Sequence, residues 1–589
     1  MISQFGAITR WVQRKIWAGR TYLFKKKVIW QDRLGCYTYA RWIRQVEQPA
    51  IQSFLKTNPG GIQVGQFCLV ITGTAPPPSV VQEFWKSMQR WSGGEQVQLA
   101  LFVPEQSRAE YAGLSLQCPC VNIVWIPSSR DPNAWLCDLE KIPGEWVIPV
   151  DCLDKFQPQW LVVVSKAMHT AENADVVYWD QDQYNSAGKR IRPFFKPGWS
   201  PALLYSINYL ECAAFRKSIL ARVTARDGNK IDTWRLEAAV KARQILHIPF
   251  VLQHKPGIAE SERKIQQEQH ARAVQSWLEL QGVVQPECRV ENGNIRVRWK
   301  AEPVQVSIII PTRDNLYYLQ RCLSTLLEKT TYLDYQILLM DDHSTAEGVW
   351  DYYHSIQEKH PHIRVYSNPG KFNYSGVNNQ GASLSQGSLL LFLNNDVEII
   401  DGSWLDEMVR WVLQPGVGIC GAKLNFPDGT IQHAGVVLGM TGHANHLYIG
   451  TSTDQPGMFC SPDWYRDVSA VTGACMLIRR DVFEQVGGFD ENLPLVFNDI
   501  DLCLRVRRAG YRILYNPAAR LIHYEGRSRA KYIPAGDIRL GASLLEDVIR
   551  NGDPFYNPNL SLTVTYPTLK RSDEPDPLNQ LRQIVRYKG

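Results

Sequence analysis

The sequence LLLFLNNDVE at residues 389–398 is an apolar run that ends directly in amide and carboxylate side chains. Two earlier stretches have the same form, SIIIPTRD at 307–314 and ILLMDDHS at 337–344. Short apolar runs bounded by polar residues are typical of buried strands. The carboxyl ends of parallel strands meet at one edge of an open sheet, where ligands bind. Asp and Asn also end strands for local reasons, but three such ends in a row favour a site.

Apolar runs alternate with helical segments in two separate parts of the chain, which predicts an α/β fold with mostly parallel sheets. Three segments of the first half line up, in the same order, with three of the second half. The pairs are 144–151 with 387–394, 99–105 with 336–342, and 246–254 with 514–523. Matches in a common order indicate a long internal repeat. We therefore expect two tandem Rossmann-like domains.

A length of 589 residues predicts three or four globular units at roughly 100–200 residues per domain. The patterns divide the chain into a basic N-terminal helical segment (1–60), a first α/β domain (61–258), a helical linker with a strand (259–304), a second α/β domain (305–530) and a C-terminal extension (531–589). The sequence Pro-Gly-Gly at 59–61 is a helix stop signal. It marks the first of these boundaries.

Composition argues against several classes of protein. Hydrophobic residues make up 44% and charged residues 21% of the chain, which predicts folded cores rather than disorder. We expect neither a spanning helix, which needs roughly 20 apolar residues, nor a secretory signal. The net charge of +6 without a basic run or RNA-binding motif argues against a nucleic-acid partner. Thirteen cysteines without repeated CxxC spacing predict reduced thiols in a cytoplasmic protein.

Several phosphate-binding and catalytic motifs are absent from the sequence. There is no GxxxxGK[ST] loop, no GxGxxG after the first strand of either repeat, and no GxSxG turn. A sheet edge rich in carboxylates but without a glycine cradle must handle phosphate through a metal ion. Carboxylates bind Mg²⁺ or Mn²⁺, and the ion neutralises a diphosphate. We therefore expect a divalent metal as cofactor.

Residues 306–530 resemble family 2 glycosyltransferases with the GT-A fold. The similarity is to bacterial enzymes with two such domains that build O-antigens and related polysaccharides, a group described as rhamnosyltransferase-like. The segments that carry the resemblance are 306–314, 340–344, 372–382, 393–398, 428–435, 470–475, 487–490, 498–505 and 523–529. The resemblance implies that the first domain is a degenerate GT-A copy and that the second is catalytic.

The resemblance also implies how a nucleotide-sugar donor is bound. The donor nucleotide is expected to contact the residues at the ends of the three apolar runs. These are Pro311, Thr312, Asp314, Asp341, Asp342 and Asn394. A carboxylate here accepts the N3–H of uracil or thymine.

The metal site implied by the resemblance lies at Asn394-Asn395-Asp396, which matches a DXD motif whose first Asp is Asn here. The substitution leaves Asp396 as the main metal ligand, helped by Glu398. His523 matches a histidine that completes the metal site in relatives; the alternative is a histidine that only forms hydrogen bonds near a strand end.

Asp499 matches the catalytic base of a Glu-Asp-x-Asp motif in which Asn498 replaces the usual Glu. One base without a protein nucleophile implies single displacement, with inversion at the anomeric carbon. The predicted acceptor is a hydroxyl of a growing, lipid-linked surface glycan. Its predicted contacts are Gly473, Ala474, Asp501 and His433, although Asp501 and His433 also fit ordinary roles in a helix start and a polar loop.

Residues 1–30 contain seven Lys and Arg residues interleaved with aromatic residues, and the first acidic residue is Asp32. Such a segment suits an interfacial helix on anionic lipid, because aromatic rings sit at headgroup depth. The alternative is a solvated helix packed on its own domain. The first interpretation predicts peripheral contact with the inner face of the cytoplasmic membrane.

The first domain lacks the residues that would make it catalytic. In the alignment of the repeats, Pro104-Glu105 stand opposite Asp341-Asp342, and Trp234-Arg235 stand opposite Asp499. Leu153 stands opposite Asp396, flanked by Asp151 and Asp154. The remaining acids, Asp180 and Asp182, are expected in a loop, and the loop 196–201 is a candidate acceptor contact.

Two other functions fit part of the pattern. A metal-dependent nucleotidyltransferase also uses acids at strand ends, but it usually opens with a Gly-rich basic loop, which this chain lacks at 311–315. A non-catalytic carbohydrate-binding or scaffold protein would fit the two Asn substitutions at 394 and 498. The intact Asp396, Asp499 and His523 argue against it.

Overall fold

The computed structural model describes residues 2–57, 66–72, 75–91, 98–111, 113–114, 121–126, 134–171, 173–224, 233–368, 370–452, 458–524 and 533–588. The boundary predicted at 59–61 and the motif residues 525–529 lie outside the described residues. None of the described helices is long and apolar enough to cross a membrane.

The first domain is built on a mixed sheet in which four strands along one side are parallel. Its strands are β1 Phe67–Ile71, β2 Gln98–Pro104, β3 Val121–Ile126, β4 Trp146–Val150, β5 Lys155–Phe156, β6 Val176–Tyr184, β7 Arg190–Phe194, β8 Ala213–Arg216 and β9 Ile245–Pro256. They are ordered β3-β2-β1-β4-β8-β6-β9-β5, and β7 pairs with β6. A separate hairpin, β10 Glu287–Glu291 and β11 Asn294–Arg298, follows.

The second domain repeats this plan. Its strands are β12 Val306–Thr312, β13 Tyr335–Asp341, β14 Ile363–Ser367, β15 Leu389–Leu393, β16 Val397–Ile399, β17 Val417–Asn425, β18 Ile431–His433, β19 Val436–Leu438, β20 Ala444–His446, β21 Arg466–Asp467, β22 Cys475–Arg479 and β23 Arg512–His523. The sheet order is β14-β13-β12-β15-β22-β17-β23-β16, and β18 pairs with β17. Each strand in this order has its counterpart in the first domain, so the predicted α/β fold with two sheet-rich domains is confirmed.

Helices cover both faces of the sheets and form the two ends of the chain. The α-helices are Ile2–Arg33, Tyr39–Trp42, Gln48–Thr57, Pro78–Trp91, Arg108–Tyr111, Trp160–His169, Lys217–Leu220, Thr233–Lys241, Glu260–Leu280, Leu316–Lys329, Val349–Lys359, Tyr374–Leu384, Trp404–Val412, Arg480–Gln485, Asn498–Arg508, Ala535–Asn551 and Pro577–Lys588. A π turn, Ile43–Glu47, joins the second and third of them. Strand β15 has five buried residues in a row because it lies in the middle of its sheet, covered on both faces.

One apolar cluster extends through both domains, and a second lies within the first half of the chain. The ring of Tyr205 in the first domain lies 4.8 Å from that of Trp411 in the second. Ser200 Oγ donates to Asp467 across the same boundary, at 2.8 Å. The loop 196–201, a predicted acceptor contact, therefore has part of its polar surface occupied by the neighbouring domain.

The N-terminal helix Ile2–Arg33 is anchored at its end to the C-terminal extension. Lys27 Nζ lies 2.6 Å from Asp573, and Asp32 accepts a hydrogen bond from Thr568 at 3.0 Å. Tyr22, Leu23 and Trp30 are nevertheless more than half exposed. The helix thus packs on its own protein through one side and leaves aromatic and apolar groups exposed on another.

The strand register changes two of the predicted equivalences between the repeats. His254 pairs with Lys155 in the first sheet, and His523 pairs with Val397 in the second. Lys155 is preceded by Asp154, and Val397 is preceded by Asp396. Asp154, not Leu153, is therefore the counterpart of Asp396. The prediction was off by one because the first domain has one more residue in this turn, which sequence alignment alone does not locate.

The second correction concerns the ends of β2 and β13. Cys68 and Ser307, the second residues of β1 and β12, pair with Gln98 and Gln336. Counting from these pairs puts Val103-Pro104, rather than Pro104-Glu105, at the positions of 341–342. Neither side chain can accept a hydrogen bond.

Candidate active site

Strands β13, β12 and β15 are neighbours in the second sheet, and their carboxyl ends lie side by side. Asn395 donates a hydrogen bond to Thr312 Oγ1 at 3.0 Å, and the Asp342 backbone N–H donates to the Thr312 carbonyl at 2.9 Å. Thr312 is buried and Pro311 is half-buried. The three polar segments therefore form one continuous edge.

Two of the acids at this edge use their carboxylates to hold the loops. Asp341 accepts hydrogen bonds from Ser344 N at 3.1 Å and Tyr353 Oη at 2.9 Å. Asp314, at φ +53°, accepts from the backbone N–H groups of Thr345 and Ala346. These backbone hydrogen bonds, that of Ala346 first, lower the pKa of Asp314. Both carboxylates therefore stabilise the loops that surround the site.

Asp342 is different, because one of its oxygens lacks a hydrogen-bond partner among the described residues. The residue is 2% exposed, and Oδ1 accepts from Asn368 Nδ2 at 2.9 Å, whereas Oδ2 accepts from no described donor. The guanidinium of Arg313 lies 3.6 Å from Oδ2. Asp342 borders a cavity of about 480 Å³ that Arg313, Lys371 and Phe372 also line. This buried acceptor without a described donor, beside a cavity, makes Asp342 a candidate contact for a ligand's N–H or O–H group.

Asp396 and His523 face each other at the end of β15 and β23. The distance from His523 Nε2 to Asp396 Oδ1 is 3.1 Å, and that from Nε2 to Asn394 Nδ2 is 3.2 Å. On the other side of the ring, Nδ1 lies 2.7 Å from Gln432 Oε1. Gln432 Nε2 faces the His523 carbonyl at 3.5 Å, which turns its Oε1 towards the ring.

This arrangement fixes the tautomer of His523. Because Gln432 Oε1 is an acceptor, Nδ1 carries a proton, so in the neutral ring the lone pair is on Nε2, which faces Asp396. Two electron-rich atoms then face each other, which is favourable when both bind one cation. A metal-binding histidine characteristically donates its other N–H to such an acceptor. The pair therefore fits a divalent metal, and Asn394 has an amide oxygen to add.

The other predicted metal ligand is engaged elsewhere. Glu398 Oε2 accepts hydrogen bonds from Arg321 Nε and Tyr524 Oη, both at 2.8 Å. Burial alone would raise the pKa of Glu398, but these partners lower it overall. Within the described residues, no three His, Cys, Asp or Glu side chains converge as a complete metal site. A bound ion would take its remaining ligands from a diphosphate and water.

Asp499 lies in the first turn of the helix Asn498–Arg508 and points its carboxylate at a glycine. Its Oδ2 accepts from the Gly473 backbone N–H at 3.1 Å, and its Oδ1 accepts from Ile500 N at 2.8 Å. The Gly473 carbonyl accepts from Tyr374 Oη at 3.0 Å. A side chain on Gly473 would meet that hydroxyl at 3.1 Å, so the glycine allows a close approach. Asp499 remains partly accessible to solvent.

The segment 473–474 connects this carboxylate to the Asp396 side of the site. The backbone N–H of Asn394 donates to the Ala474 carbonyl at 3.0 Å. Gly473 thus contacts Asp499, and Ala474 contacts the turn at 394–396. Hydrogen bonds to one short segment therefore link the predicted base with the turn that carries the predicted metal ligands.

Two residues predicted to contact acceptor have little accessible surface. Asp501 is 4% exposed, and its carboxylate binds Arg505 Nε and Nη2 at 2.8 and 2.6 Å. His433 is fully buried, and its Nδ1 lies 2.8 Å from His446 Nδ1. Burial holds the pKa of His433 well below its ordinary value, so its ring is neutral. Both side chains are engaged with neighbouring residues of the protein, and His446 is the more accessible member of the histidine pair.

At the corresponding edge of the first domain, the acidic side chains lie close to a lysine of the same domain. Asp154 is buried, and the Nζ of Lys255 lies 3.7 Å from its Oδ1 and 2.7 Å from Glu211. Burial raises the pKa of Asp154 to about 6. His254 lies 2.6 Å from Asp182 instead of facing Asp154. An ammonium group therefore stands beside the acid that corresponds to Asp396.

Asp180 and Asp182 lie on strand β6 and are buried, so the prediction that they are loop acids is wrong. Asp182 binds Arg190 at 2.5 Å, and Asp180 accepts from Asn557 of the C-terminal extension at 2.7 Å. Four consecutive polar residues, at 180–183 near the end of the strand, resemble a loop in sequence. Only their partners from distant segments make burial possible.

Sequence reasoning assigned no role to Gln432, Tyr374, Arg313 or Phe372. All four lie inside the quoted motif segments 306–314, 372–382 and 428–435. Their position within these segments was the only signal in the sequence that could have marked them as site residues. Their contacts with the site depend on chain crossings that the sequence does not specify.

Residues 307–487 match the family model described as Glycosyl transferase family 2. The second α/β domain is therefore a family 2 glycosyltransferase domain, as the sequence resemblance predicted.

Curated relatives extend the similarity beyond that domain. The chain is 35% identical to the uncharacterized protein y4gI of Sinorhizobium fredii, over 72% of this chain and 49% of that protein. It is also 35% identical to the O-antigen biosynthesis protein RfbC of Myxococcus xanthus, over 75% of this chain and 36% of that protein. The chain thus spans half or less of the length of these two relatives.

A shorter match is to the N-acetylglucosaminyl-diphospho-decaprenol L-rhamnosyltransferase of Mycobacterium tuberculosis, 27% identical over 36% of this chain and 74% of that protein. Among solved structures, the chain is similar to GalNAc-T7 with UDP, GalNAc and Mn²⁺. That likeness covers 41% of this chain and 48% of the other, with 17% identity and a TM-score of 0.34.

Proposed function

We propose that this protein is an inverting glycosyltransferase that moves a sugar from a nucleoside-diphosphate donor to a hydroxyl of a growing glycan. The observation that carries the proposal is the link between Asp499 and Asp396. A partly accessible carboxylate and a histidine–carboxylate pair flank the short segment 473–474. Single displacement needs a base on one side of the sugar and a stabilised leaving group on the other.

The donor base would occupy the cavity beside Asp342. The Oδ2 of Asp342, which binds no described donor, is an acceptor for the N3–H of uracil or thymine. Phe372, 44% exposed at the rim, offers a ring on which a base can stack. Asp341 and Asp314 support this pocket by holding the loops around it. A thymidine or uridine diphosphate sugar is the donor class that fits these groups.

Asp396 and His523 would hold a divalent ion, either Mg²⁺ or Mn²⁺, with Asn394 beside them. When bound, such an ion neutralises the charge of a departing diphosphate. Gln432 keeps the His523 ring in the tautomer whose Nε2 lone pair faces Asp396. Ala474 and Gly473 leave room for the sugar because neither carries a bulky side chain.

Asp499 would accept the proton of the acceptor hydroxyl. A hydroxyl is a poor nucleophile at neutral pH, and a carboxylate within hydrogen-bonding reach removes its proton as the new bond forms. The Gly473 N–H and Ile500 N–H orient the carboxylate. Inversion follows from a single displacement in which Asp499 acts as base rather than as nucleophile.

The acceptor proposed here is a lipid-linked glycan. The support is the similarity to a relative whose name specifies a decaprenol-linked substrate, together with the basic N-terminal helix. Contact with the inner face of the cytoplasmic membrane would bring the site to such a substrate.

We expect the exposed face of the N-terminal helix to bind anionic vesicles. Leu23→Ser with Trp30→Ser removes two side chains that are more than half exposed, so vesicle affinity should fall about tenfold or more. Deleting residues 1–30 should abolish binding, and salt should weaken it. Co-sedimentation with phosphatidylglycerol vesicles measures each effect. Leu333→Ser, at a 91% exposed site elsewhere, is the matched control; full-length protein that ignores such vesicles at low salt would refute the interfacial interpretation.

The first domain should contribute no catalytic group. Asp151→Asn with Asp154→Asn is expected to leave the transfer rate within about twofold, because Lys255 already neutralises this edge. The corresponding change of Asp180 and Asp182 is less informative, since it alters two buried, hydrogen-bonded acids, whereas in the first variant only Asp154 is buried. Loss of transfer by the first double variant, with unchanged thermal stability, would show that this domain is active.

A panel of radiolabelled UDP- and dTDP-sugars tests the proposed function against its rivals. Purified full-length protein with Mn²⁺ should release the nucleoside diphosphate and transfer or hydrolyse the sugar. Release of pyrophosphate from a nucleoside triphosphate would indicate a nucleotidyltransferase. Binding of sugars without turnover of any donor would indicate a scaffold protein.

A further inference from the structure

The C-terminal extension holds the loop that precedes Asp499. Asp537 lies in the first turn of the helix Ala535–Asn551 and is 1% exposed. Its Oδ2 accepts hydrogen bonds from the backbone N–H groups of Leu495 and Val496, both at 3.0 Å. A carboxylate that binds two successive N–H groups fixes the path of the chain there.

The same helix makes a second contact with this loop. Gly541 is buried about one turn beyond Asp537, and a side chain at Gly541 would overlap the ring of Phe497. Phe497 has φ +65° and immediately precedes the helix that begins with Asn498. The ring therefore packs directly on the helix backbone, at a residue whose left-handed conformation sets the direction of the next helix.

These two contacts act on the residues just before the proposed base. Asp499 follows Phe497 by two positions, and its carboxylate must stay within hydrogen-bonding distance of Gly473 and of an acceptor hydroxyl. Displacements of about 1 Å cost up to about a hundredfold in rate. We infer that Asp537 is a positioning residue for Asp499, so that the C-terminal extension is part of the catalytic unit. The inference rests on the proposed role of Asp499.

Two kinds of substitution disturb the loop independently. Asp537→Ala removes the acceptor of both N–H groups, whereas Asp537→Asn keeps an acceptor oxygen without its charge. Gly541→Ala leaves Asp537 intact and pushes on Phe497 instead. Matched controls are Asp547→Ala, an exposed acid of the same helix, and Gly536→Ala, where a side chain meets nothing within 4 Å.

The full chain is tested with Mn²⁺ and whichever UDP- or dTDP-sugar it hydrolyses. We expect kcat to fall between about tenfold and a hundredfold in Asp537→Ala and Gly541→Ala, and less in Asp537→Asn. Donor KM, and the affinity for UDP or dTDP with Mn²⁺, should change less than about twofold, because the described contacts of Asp537 and Gly541 are with 495–497 and not with the proposed metal ligands or the lining of the donor cavity. Hydrogen exchange of the 493–499 amides should rise in both variants, and the controls should behave like the parent.

Unchanged exchange at 493–499 in Asp537→Ala would overturn the inference whatever the activity. A fall in nucleotide and Mn²⁺ affinity equal to the fall in kcat would also overturn it, because a merely destabilised domain would lose all of them together. Asp499→Asn serves as the separate check on the base. If Asp499→Asn is inactive while Asp537→Ala and Gly541→Ala retain full kcat, the proposed function stands and the positioning role fails.

Discussion

Asp499→Asn is expected to lower kcat by about 100- to 10,000-fold, the usual contribution of a general base. The amide has nearly the same shape as the carboxylate and keeps an oxygen for the Gly473 N–H. It cannot take a proton from the acceptor hydroxyl. Donor binding should therefore survive, which titration calorimetry with UDP or dTDP and Mn²⁺ measures alongside the rate of sugar transfer.

Asp351→Asn provides the matched control. Asp351 also lies in the first turn of a helix of the second domain, and it is exposed. Its variant should keep the parent rate. A near-normal kcat in Asp499→Asn would move the role of base to another residue. Asp501 is the next candidate by sequence, although its carboxylate is already bound by Arg505.

Asp396→Ala is expected to lower turnover by about a hundredfold or more, because the stabilisation of a diphosphate leaving group by a bound cation is worth several kcal/mol. The variant leaves His523 with one cation-binding partner fewer. Mn²⁺ binding, followed by electron paramagnetic resonance, should weaken in parallel with the rate. Thermal unfolding should show whether the fold survives, since Asp396 is 4% exposed.

Asp334→Ala, an exposed acid in the same domain, should change neither the rate nor Mn²⁺ binding. Removal of metal from the parent protein with excess EDTA should reproduce the loss seen in Asp396→Ala, and added Mn²⁺ should restore activity to the parent only. Full activity in EDTA would contradict a metal-dependent reaction. A proton shared by the two side chains would then account for the 3.1 Å distance between His523 Nε2 and Asp396 Oδ1.

The two domains show how one strand plan can support different chemistry. Both sheets have the same strand order. In each, a histidine near the end of a long strand pairs with the short strand that follows the acidic turn: His254 of β9 pairs with β5, and His523 of β23 pairs with β16. In the second domain that histidine faces Asp396. In the first it binds Asp182, and Lys255 stands beside Asp154. The histidine thus has a different carboxylate partner in each domain, and this difference requires no change in topology.

Much of the architecture was predictable from local patterns. The run 389–393 forms a fully buried strand, and the segments 307–310 and 337–340 lie inside the observed β12 and β13. These strands were predictable because an apolar run with polar ends has one favourable place in an α/β fold, the middle of a covered sheet. The repeat was predictable for the same reason, because it preserves the order of such runs.

By itself, the sequence determined the fold class, the repeat and the edge at which the polar residues gather, since these depend on hydrophobic patterning along short segments. Only the tertiary structure decided which acid binds the surrounding loops and which borders the cavity. Asp341 and Asp342 are neighbours in the chain, yet Tyr353 and Ser344 bind the first, while the second borders the cavity. Gln432 orients His523, and Asp537 holds the loop before Asp499, although each pair is far apart in the chain. Such contacts arise from packing between distant segments, and no local pattern in the chain encodes them.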